Sequence, residues 1–593
     1  MKPAPAMSNA FEPLESRRMM DATPYTVWGT PGQDIITVEA LPPTATTTQI
    51  RITVNTTSWI RNLPATTRVR IDGMDGNDVI RVIGSRGVDV LGGAGDDTLV
   101  GGTGSDMIAG GQGWDTADYS ARTGTVVLTN DNRADDGGGG GERDNILSDI
   151  EVMNGGRGDD YLASWNRNGP VTLNGNGGND KLFGGWGGDY LNGGPGKDYI
   201  LGNNGADIVD GADDNDTVRG GEGKDIVIGG RGNDALWADA GADGVYGGDG
   251  NDRLYSGRDN DYLDGQNGND VLVAIGGSQG DTMRGGTGRD NFWLDSEASE
   301  KITDYYPTIE SGCVHRVASF QALKVQNQPA GTPSRELQGQ NLPDPYVDAA
   351  FYSSFTKQNF SYVPLFADSG PRENDVEQGN VGDCYFLAPL SATARIMADA
   401  INRSVVDLGD GTYAVHFRAN PTGPESIIRV DGDLPMHSSG VILGARLGTQ
   451  NTLWAAVMEK AYAFYRGGGF GSYFAAGNGG QPAEGFGVLG LPNRVLTPAS
   501  AGDLYNKLQQ ELSQSRAVTV STKVNTTGVV NSHVYMVSRV FTNAQGVQMV
   551  ELRNPWGKDQ GDPGADATND GYITVRADRL FADAKNVTSG SWV

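Results

Sequence analysis

Residues 229–236 read Gly-Gly-Arg-Gly-Asn-Asp-Ala-Leu, and residues 193–200 read Gly-Gly-Pro-Gly-Lys-Asp-Tyr-Ile. Both are copies of one frame, G-G-x-G-x-D-x-U, where U is a large apolar residue. From Asp180 to Asp270 an aspartate falls at every ninth position, through Asp189, Asp198, Asp207, Asp216, Asp225, Asp234, Asp243, Asp252 and Asp261. A shorter array contains Asp97, Asp106 and Asp115, and looser copies surround Asp34, Asp78, Asp160, Asp281 and Asp290. Glycines permit a tight turn whose carbonyls point inward. Each aspartate adds a carboxylate oxygen, and calcium takes roughly six to eight oxygen ligands, so stacked turns can share an ion. The apolar residue two places on fills a thin core common to neighbouring coils, because no single repeat buries enough. Glycine-rich sequence can also be a disordered linker, but a strict period with regular Asp and regular Leu, Ile or Val argues against it. The pattern predicts a parallel β-roll or β-solenoid over residues 25–295 that folds only with several bound Ca2+ ions. The aspartates of the two regular arrays are the candidate ligands. Arg122 to Asp149 read as a glycine-rich interruption.

Charge and composition fit this reading. The 593 residues carry a formal charge of −28, which bound cations would offset in part. The same charge argues against a nucleic-acid partner. No apolar stretch is long enough to span a membrane. Residues 296–345 contain Pro, Gln, Ser and Gly without period and read as a linker.

Outside the repeats, Gln378 to Cys384 read Q-G-N-V-G-D-C, followed by the apolar run Y-F-L-A. The glycines let the chain turn sharply, and the segment after Cys384 repeats its apolar residues at helical spacing. A helix N-terminus under the sulfur would favour thiolate over thiol. Gln378 and the Cys384 amide could then hold an oxyanion. The bland reading is a buried structural cysteine, and the companion residues decide against it. A thiol nucleophile needs a base and the base an orienting partner. Of four histidines, His315 falls in the linker, His416 in the alternating strand T-Y-A-V-H-F-R-A, and His437 in a loop after D-L-P-M. His533 opens the strand S-H-V-Y-M-V-S-R-V, and a short turn joins it to V-Q-M-V-E-L-R-N-P-W-G, which ends at Asn554. The turn favours an antiparallel hairpin. It brings His533 and Asn554 together, with Trp556 placed to cover their hydrogen bond.

The order Gln, Cys, His, Asn matches the papain-like arrangement. More narrowly, Q-G-N-V-G-D-C-Y-F-L, S-H-V-Y-M-V and L-R-N-P-W-G resemble the calpain protease core. So do P-L-F-A-D, V-D-G-D-L-P, L-W-A-A-V-M-E-K-A-Y-A, E-G-F and D-G-Y-I-T-V. The likeness covers roughly residues 345–593. It implies an α+β, two-lobed, papain-like domain over 346–593, with Cys384 as nucleophile and His533 as base and acid. Asn554 would orient the imidazole and Gln378 would supply an oxyanion donor. Tyr385 stands where many animal calpains have Trp, and Pro389 falls early in the expected helix. The nonapeptide resembles the calcium-binding repeat of RTX, or hemolysin-type, proteins.

The leading expectation is therefore a multidomain, calcium-associated cysteine endopeptidase acting on a protein or peptide substrate. Two alternatives are a transglutaminase-type acyl transferase, whose third residue is usually Asp, and a calcium-binding adhesin or matrix protein beside an inactive protease domain. Residues 1–24 lack the apolar core of a secretory signal, yet F-E-P-L-E-S-R-R-M-M resembles a short Leu-Glu-x-Arg tag that opens many exported bacterial proteins. With the calcium repeats, this tag points to an extracellular or cell-surface location. The two cysteines, Cys313 and Cys384, offer no disulfide framework.

Overall fold

The computed structural model describes residues 24–305 apart from 42–47, 65, 140–141, 166–168, 277–279 and 297–298. It then describes 313–321, 323, 342, 345 and 355–591, the last apart from 368–369, 380, 419–423, 438, 440, 467–472, 477–478, 525, 527–528 and 559–569. The N-terminal tag expected over 1–24 lies almost wholly outside these residues. The chain divides into two units, residues 1–270 with 282–288 and residues 271–281 with 289–593.

In the first unit the nine-residue period becomes a strand period. Strand Tyr190–Pro195 pairs in parallel with Ile208–Asp213, which pairs with Ile226–Arg231. Tyr199–Asn204 pairs with Thr217–Glu222, and that with Ala235–Ala240. Successive nonapeptides thus alternate between two parallel sheets, and two of them make one coil. The apolar residue after each Asp-x points inward. Leu191, Val209, Val227 and Val245 from one sheet meet Ile200, Val218, Leu236 and Leu254 from the other, all 0% exposed. Full burial of each such side chain contributes roughly 1.5–3 kcal/mol, available only when a neighbouring coil covers it.

The coils are not uniform from residue 25. Ile35–Ala40, Thr48–Val54 and Thr57–Leu63 pair antiparallel before the parallel strands continue from Val69–Asp75. The glycine-rich interruption is also structured: Val126–Thr129 and Ala134–Gly138 form an antiparallel pair. Tyr119 Oη donates to Asp144 Oδ2 at 2.5 Å beneath it.

In the second unit Val271–Ala274, Asn291–Asp295 and Val314–Val317 pair in parallel. Parallel pairing therefore runs past residue 295, and His315, read from sequence as linker, sits in a strand. It is buried and stacks on Trp293 with centroids 4.2 Å apart. His416 lies in a strand as expected, whereas His437 ends the strand Asp433–His437 instead of lying in a loop.

The rest of this unit has two cores. One surrounds α1 (Cys384–Ile396), α2 (Ala398–Ser404), α3 (Trp454–Arg466), α4 (Tyr473–Ala476) and α5 (Pro482–Val488), with the three-stranded sheet of Val405–Asp407, Thr412–Arg418 and Glu425–Asp431. The second joins α6 (Ala501–Ser513) and α7 (Ala577–Asp583) to a six-stranded sheet. Its antiparallel order is Asn493–Leu496, Ala584–Gly590, Ala517–Thr522, Val534–Thr542, Gln548–Arg553, Tyr572–Arg576. Described linker residues rest on the strand Glu425–Asp431: Gln321 N–H donates to Ile427 O at 2.9 Å and Leu342 N–H to Asp431 Oδ2 at 2.7 Å.

Candidate active site and calcium ladder

Cys384 is the first residue of α1, a helix whose residues from Tyr385 to Ala394 are all buried. Pro389 interrupts its hydrogen bonding, since proline has no N–H. Gly485 of α5 packs at that point. A Cβ there would lie 2.9 Å from Tyr385 O and 2.8 Å from Pro389 Cγ, so the E-G-F glycine permits the close approach. The strands Val534–Thr542 and Gln548–Arg553 form the expected antiparallel hairpin.

His533 Nε2 lies 2.9 Å from Asn554 Oδ1. That oxygen also accepts from Trp556 N–H at 3.0 Å. An acceptor at Nε2 makes that nitrogen the protonated one and leaves Nδ1 as the proton acceptor, an assignment drawn from the hydrogen bonds. The Trp556 ring covers the imidazole at 4.5 Å and Tyr535 meets it edge-on at 5.0 Å. Thr522 fixes the His533 backbone through its hydroxyl and its amide: His533 N–H to Thr522 Oγ1 is 2.9 Å and Thr522 N–H to His533 O is 2.8 Å. Cys384 and His533 line one cavity of about 380 Å³ together with Tyr385, Gly480, Thr522 and Lys585.

The thiol does not behave as its helix position suggested. Burial pushes Cys384 up to about 12, the Val534 N–H opposes this, and the neighbouring Asp383 adds to it. Desolvation thus works against the helix N-terminus, and His533, which lines the same cavity, is the group available to take the sulfur's proton.

Gln378 is buried, and its Nε2 donates to Val381 O and, at 3.2 Å, to Asp383 Oδ1. Its backbone N–H donates to Pro555 O at 2.6 Å, tying the loop to the Asn554 segment. The amide does not line the cavity in this arrangement.

Three residues at the site escaped the sequence reading. Asp383 and Glu459 are both buried and hydrogen-bond each other, which requires a shared proton. Burial first, then Glu459, pushes Asp383 far above the ordinary carboxylate range. Glu459 Oε2 also accepts from Ala445 N–H at 2.6 Å. The third is Arg553. Its buried guanidinium donates to Asn374 Oδ1 at 3.0 Å, Ser391 Oγ at 3.1 Å and Val376 O at 3.0 Å, joining the hairpin to α1 and the loop before Gln378. Glu459 and Arg553 fall inside the quoted motifs, but a buried charge cannot be told from a surface one there.

From Asp198 to Asp270 each aspartate Oδ1 of the array accepts a backbone N–H from the aspartate one coil earlier, as in Asp180 N to Asp198 at 2.7 Å and Asp198 N to Asp216 at 2.8 Å. Asp243 N to Asp261 and Asp252 N to Asp270 continue the two ladders at 2.9 Å each. Oδ2 is buried with no hydrogen-bond partner at Asp97, Asp115, Asp180, Asp198, Asp207, Asp216, Asp225, Asp234, Asp243 and Asp252. Such an atom costs free energy unless a cation meets it. A Cβ on Gly229 would lie 2.5 Å from both Asp234 Oδ2 and Gly247 O, so a carboxylate and a next-coil carbonyl converge there. Among the described residues no cluster of three or more His, Cys, Asp or Glu could hold a metal. A carboxylate oxygen beside a backbone carbonyl, as at Gly229, is the kind of donor pair that suits calcium.

Asp106 and Asp189 differ. Gly102 N–H donates to Asp106 Oδ2 at 2.7 Å and Gly185 N–H to Asp189 Oδ2 at 2.6 Å. The residue four before the aspartate decides which case applies. Where it is left-handed, as at Gly230 (φ 107°), Asn203 (φ 74°) or Ala212 (φ 80°), its N–H turns away and Oδ2 is left open. Gly102 and Gly185 are not left-handed, and their N–H groups close the site.

Comparison with known proteins agrees with both halves. A model of the calpain family cysteine protease matches residues 356–565. A model of the RTX calcium-binding nonapeptide repeat matches segments including 91–121, 172–200, 201–236, 237–272 and 275–296. The chain is 28% identical over 214 residues to the calpain-1 catalytic subunit of Bos taurus, covering 33% of this chain and 29% of that protein. It is 29% identical over 220 residues to a calpain-type cysteine protease of Zea mays, covering 33% and 10%. With calpain-A of Drosophila melanogaster it shares 26% identity over 311 residues, covering 47% and 35%. The matches thus span about a third or less of each relative. The chain carries a calpain-family cysteine protease domain joined to RTX calcium-binding repeats.

Proposed function

We propose that this chain is a calcium-associated cysteine endopeptidase in which Cys384, His533, Asn554 and Gln378 perform the chemistry. The observation that carries the reading is the His533–Asn554 bond, covered by Trp556, in the cavity that also holds Cys384. His533 Nδ1 takes the thiol proton as sulfur attacks the peptide carbonyl. The Cys384 N–H, among the unpaired amides of a helix N-terminus, receives the oxyanion. Gln378 joins it once its N–H leaves Asp383 Oδ1 for the substrate. His533 then returns the proton to the departing amine, and water activated by His533 hydrolyses the thioester. Calcium bound along the aspartate ladders supplies the charge neutralisation that lets the coils fold. The likeness of the repeats to the RTX calcium-binding type supports action at the cell surface or outside it.

The test is casein digestion by the full chain, with and without calcium, beside Cys384→Ser. Cleavage by the unmodified chain and none by the variant is expected. Cleavage surviving in Cys384→Ser removes Cys384 as nucleophile, and amine incorporation without hydrolysis supports an acyl transferase instead.

A further inference from the structure

The candidate catalytic cavity has a charge pattern that the mechanism leaves unused. Apart from His533, its charged lining residues are Lys523 and Lys585, and none of its described lining residues is acidic. This stands out in a chain whose formal charge is −28. Strand Ala517–Thr522 pairs antiparallel with Ala584–Gly590, and Thr522 faces Ala584. Lys523 follows the last residue of the first strand, and Lys585 sits inside the second at the register shift between the Ser521–Asn586 and Thr522–Ala584 pairs, so both flank the terminal pair. Thr522 is also the residue that clamps His533 through its backbone and hydroxyl. Both lysines thus line the cavity that holds His533.

Among the described residues, neither lysine meets a carboxylate. Lys523 Nζ donates to Ala582 O at 2.7 Å, a neutral acceptor. Lys585 is exposed, and neither lysine forms an ion pair among the described residues. Two cationic side chains on the lining of one cavity favour an anion within it. The surrounding negative chain repels acidic ligands at long range, so this end of the cavity reverses the field where a substrate would lie.

We propose that Lys523 and Lys585 form an acid-selective subsite that receives an Asp or Glu side chain of the substrate within a few residues of the scissile bond. The proposal rests on the endopeptidase reading above and names the substrate class of that site. Exposed pairings of this kind contribute modestly and are screened by salt. The expected preference is therefore about tenfold in kcat/KM at low ionic strength, shrinking as salt is added.

The experiment uses the full chain in calcium and a series of fluorogenic peptides with both ends blocked. Members differ at one position by Glu, Gln or Lys, scanned across the residues flanking the cleaved bond. The expected order at one position is Glu above Gln above Lys. K523E/K585E should invert it, and K523R/K585R should retain it. Circular dichroism of both variants checks that the fold is kept. Equal rates for the three peptides at every position overturn the subsite, as does a Glu preference that survives K523E/K585E. A preference that appears only when the peptide C-terminus is left free also overturns it, because the lysines then read a chain end. Failure to cleave any peptide or casein overturns the endopeptidase reading itself, a result distinct from equal cleavage of all three.

Discussion

Removing calcium should make the coils respond to pH in the direction opposite to that of the metal-bound protein. Burial first raises the ladder aspartates from 3.8 to about 7 at Asp198, Asp207, Asp243 and Asp252, and to about 9 at Asp216. A carboxyl whose folded pKa is raised stabilises the fold below about 3.8 and loses that contribution as pH climbs through its folded value. Three units correspond to about 4 kcal/mol at full value. The aspartates raise one another's values through mutual repulsion, so the shifts do not add in full and about half of that is realistic, or roughly 2 kcal/mol each. Across those five residues the loss at pH 8 is on the order of 10 kcal/mol, comparable to the whole stability of a typical domain. The assay is hydrogen exchange with mass spectrometry on the full chain, corrected for the intrinsic pH dependence of exchange. In chelator, peptides from residues 172–270 should be protected at pH 5 and unprotected at pH 8. Calcium at pH 8 should restore protection, because it holds the carboxylates ionised. Equal protection at pH 8 with and without chelator would refute the reasoning.

Other outcomes follow from the catalytic half. Asn554→Ala should lower kcat on the order of a hundredfold with little change in KM, because the imidazole loses its orienting acceptor; steady-state kinetics on one peptide reads this. Glu459→Leu leaves Ala445 N–H unpaired and strips Asp383 of its proton-sharing partner, costing roughly 2–4 kcal/mol in denaturant unfolding. Glu459→Gln, which keeps a hydrogen bond to Asp383, should cost less than half as much. Arg553→Met removes the donor to Ser391 Oγ and Val376 O and leaves Asn374 Oδ1 with Tyr572 Oη alone, for about 3 kcal/mol of destabilisation in the same assay.

The sequence made the coil visible because an 18-residue turn built from two nonapeptides repeats both its turn residues and its core residue. Leu191, Ile200 and Val209 fall inward as the frame requires. Which aspartates offer an open oxygen was harder to read. Asp106 and Asp189 share the frame of Asp198 and Asp234, yet their second oxygen is taken by Gly102 and Gly185. The left-handed turn four residues earlier makes the difference. Its conformation depends on the neighbouring coil, since Ala212 adopts it although alanine gains nothing locally. At the active site, spacing and hairpin logic were enough to bring His533 to Asn554. Burial of Cys384, which opposes the effect expected of the helix terminus, is reported by no local pattern. The same limit hid the Asp383–Glu459 pair, whose members are 76 residues apart and meet only when α3 packs beneath α1.

Labelling of the thiol tests the central claim most directly. The full chain in calcium is treated with a peptidyl epoxide that alkylates activated cysteines, then digested for mass spectrometry. The account predicts one adduct on Cys384, none on the fully buried Cys313, and loss of labelling in His533→Ala. An adduct formed equally fast in His533→Ala, or found on Cys313 and not on Cys384, would contradict it.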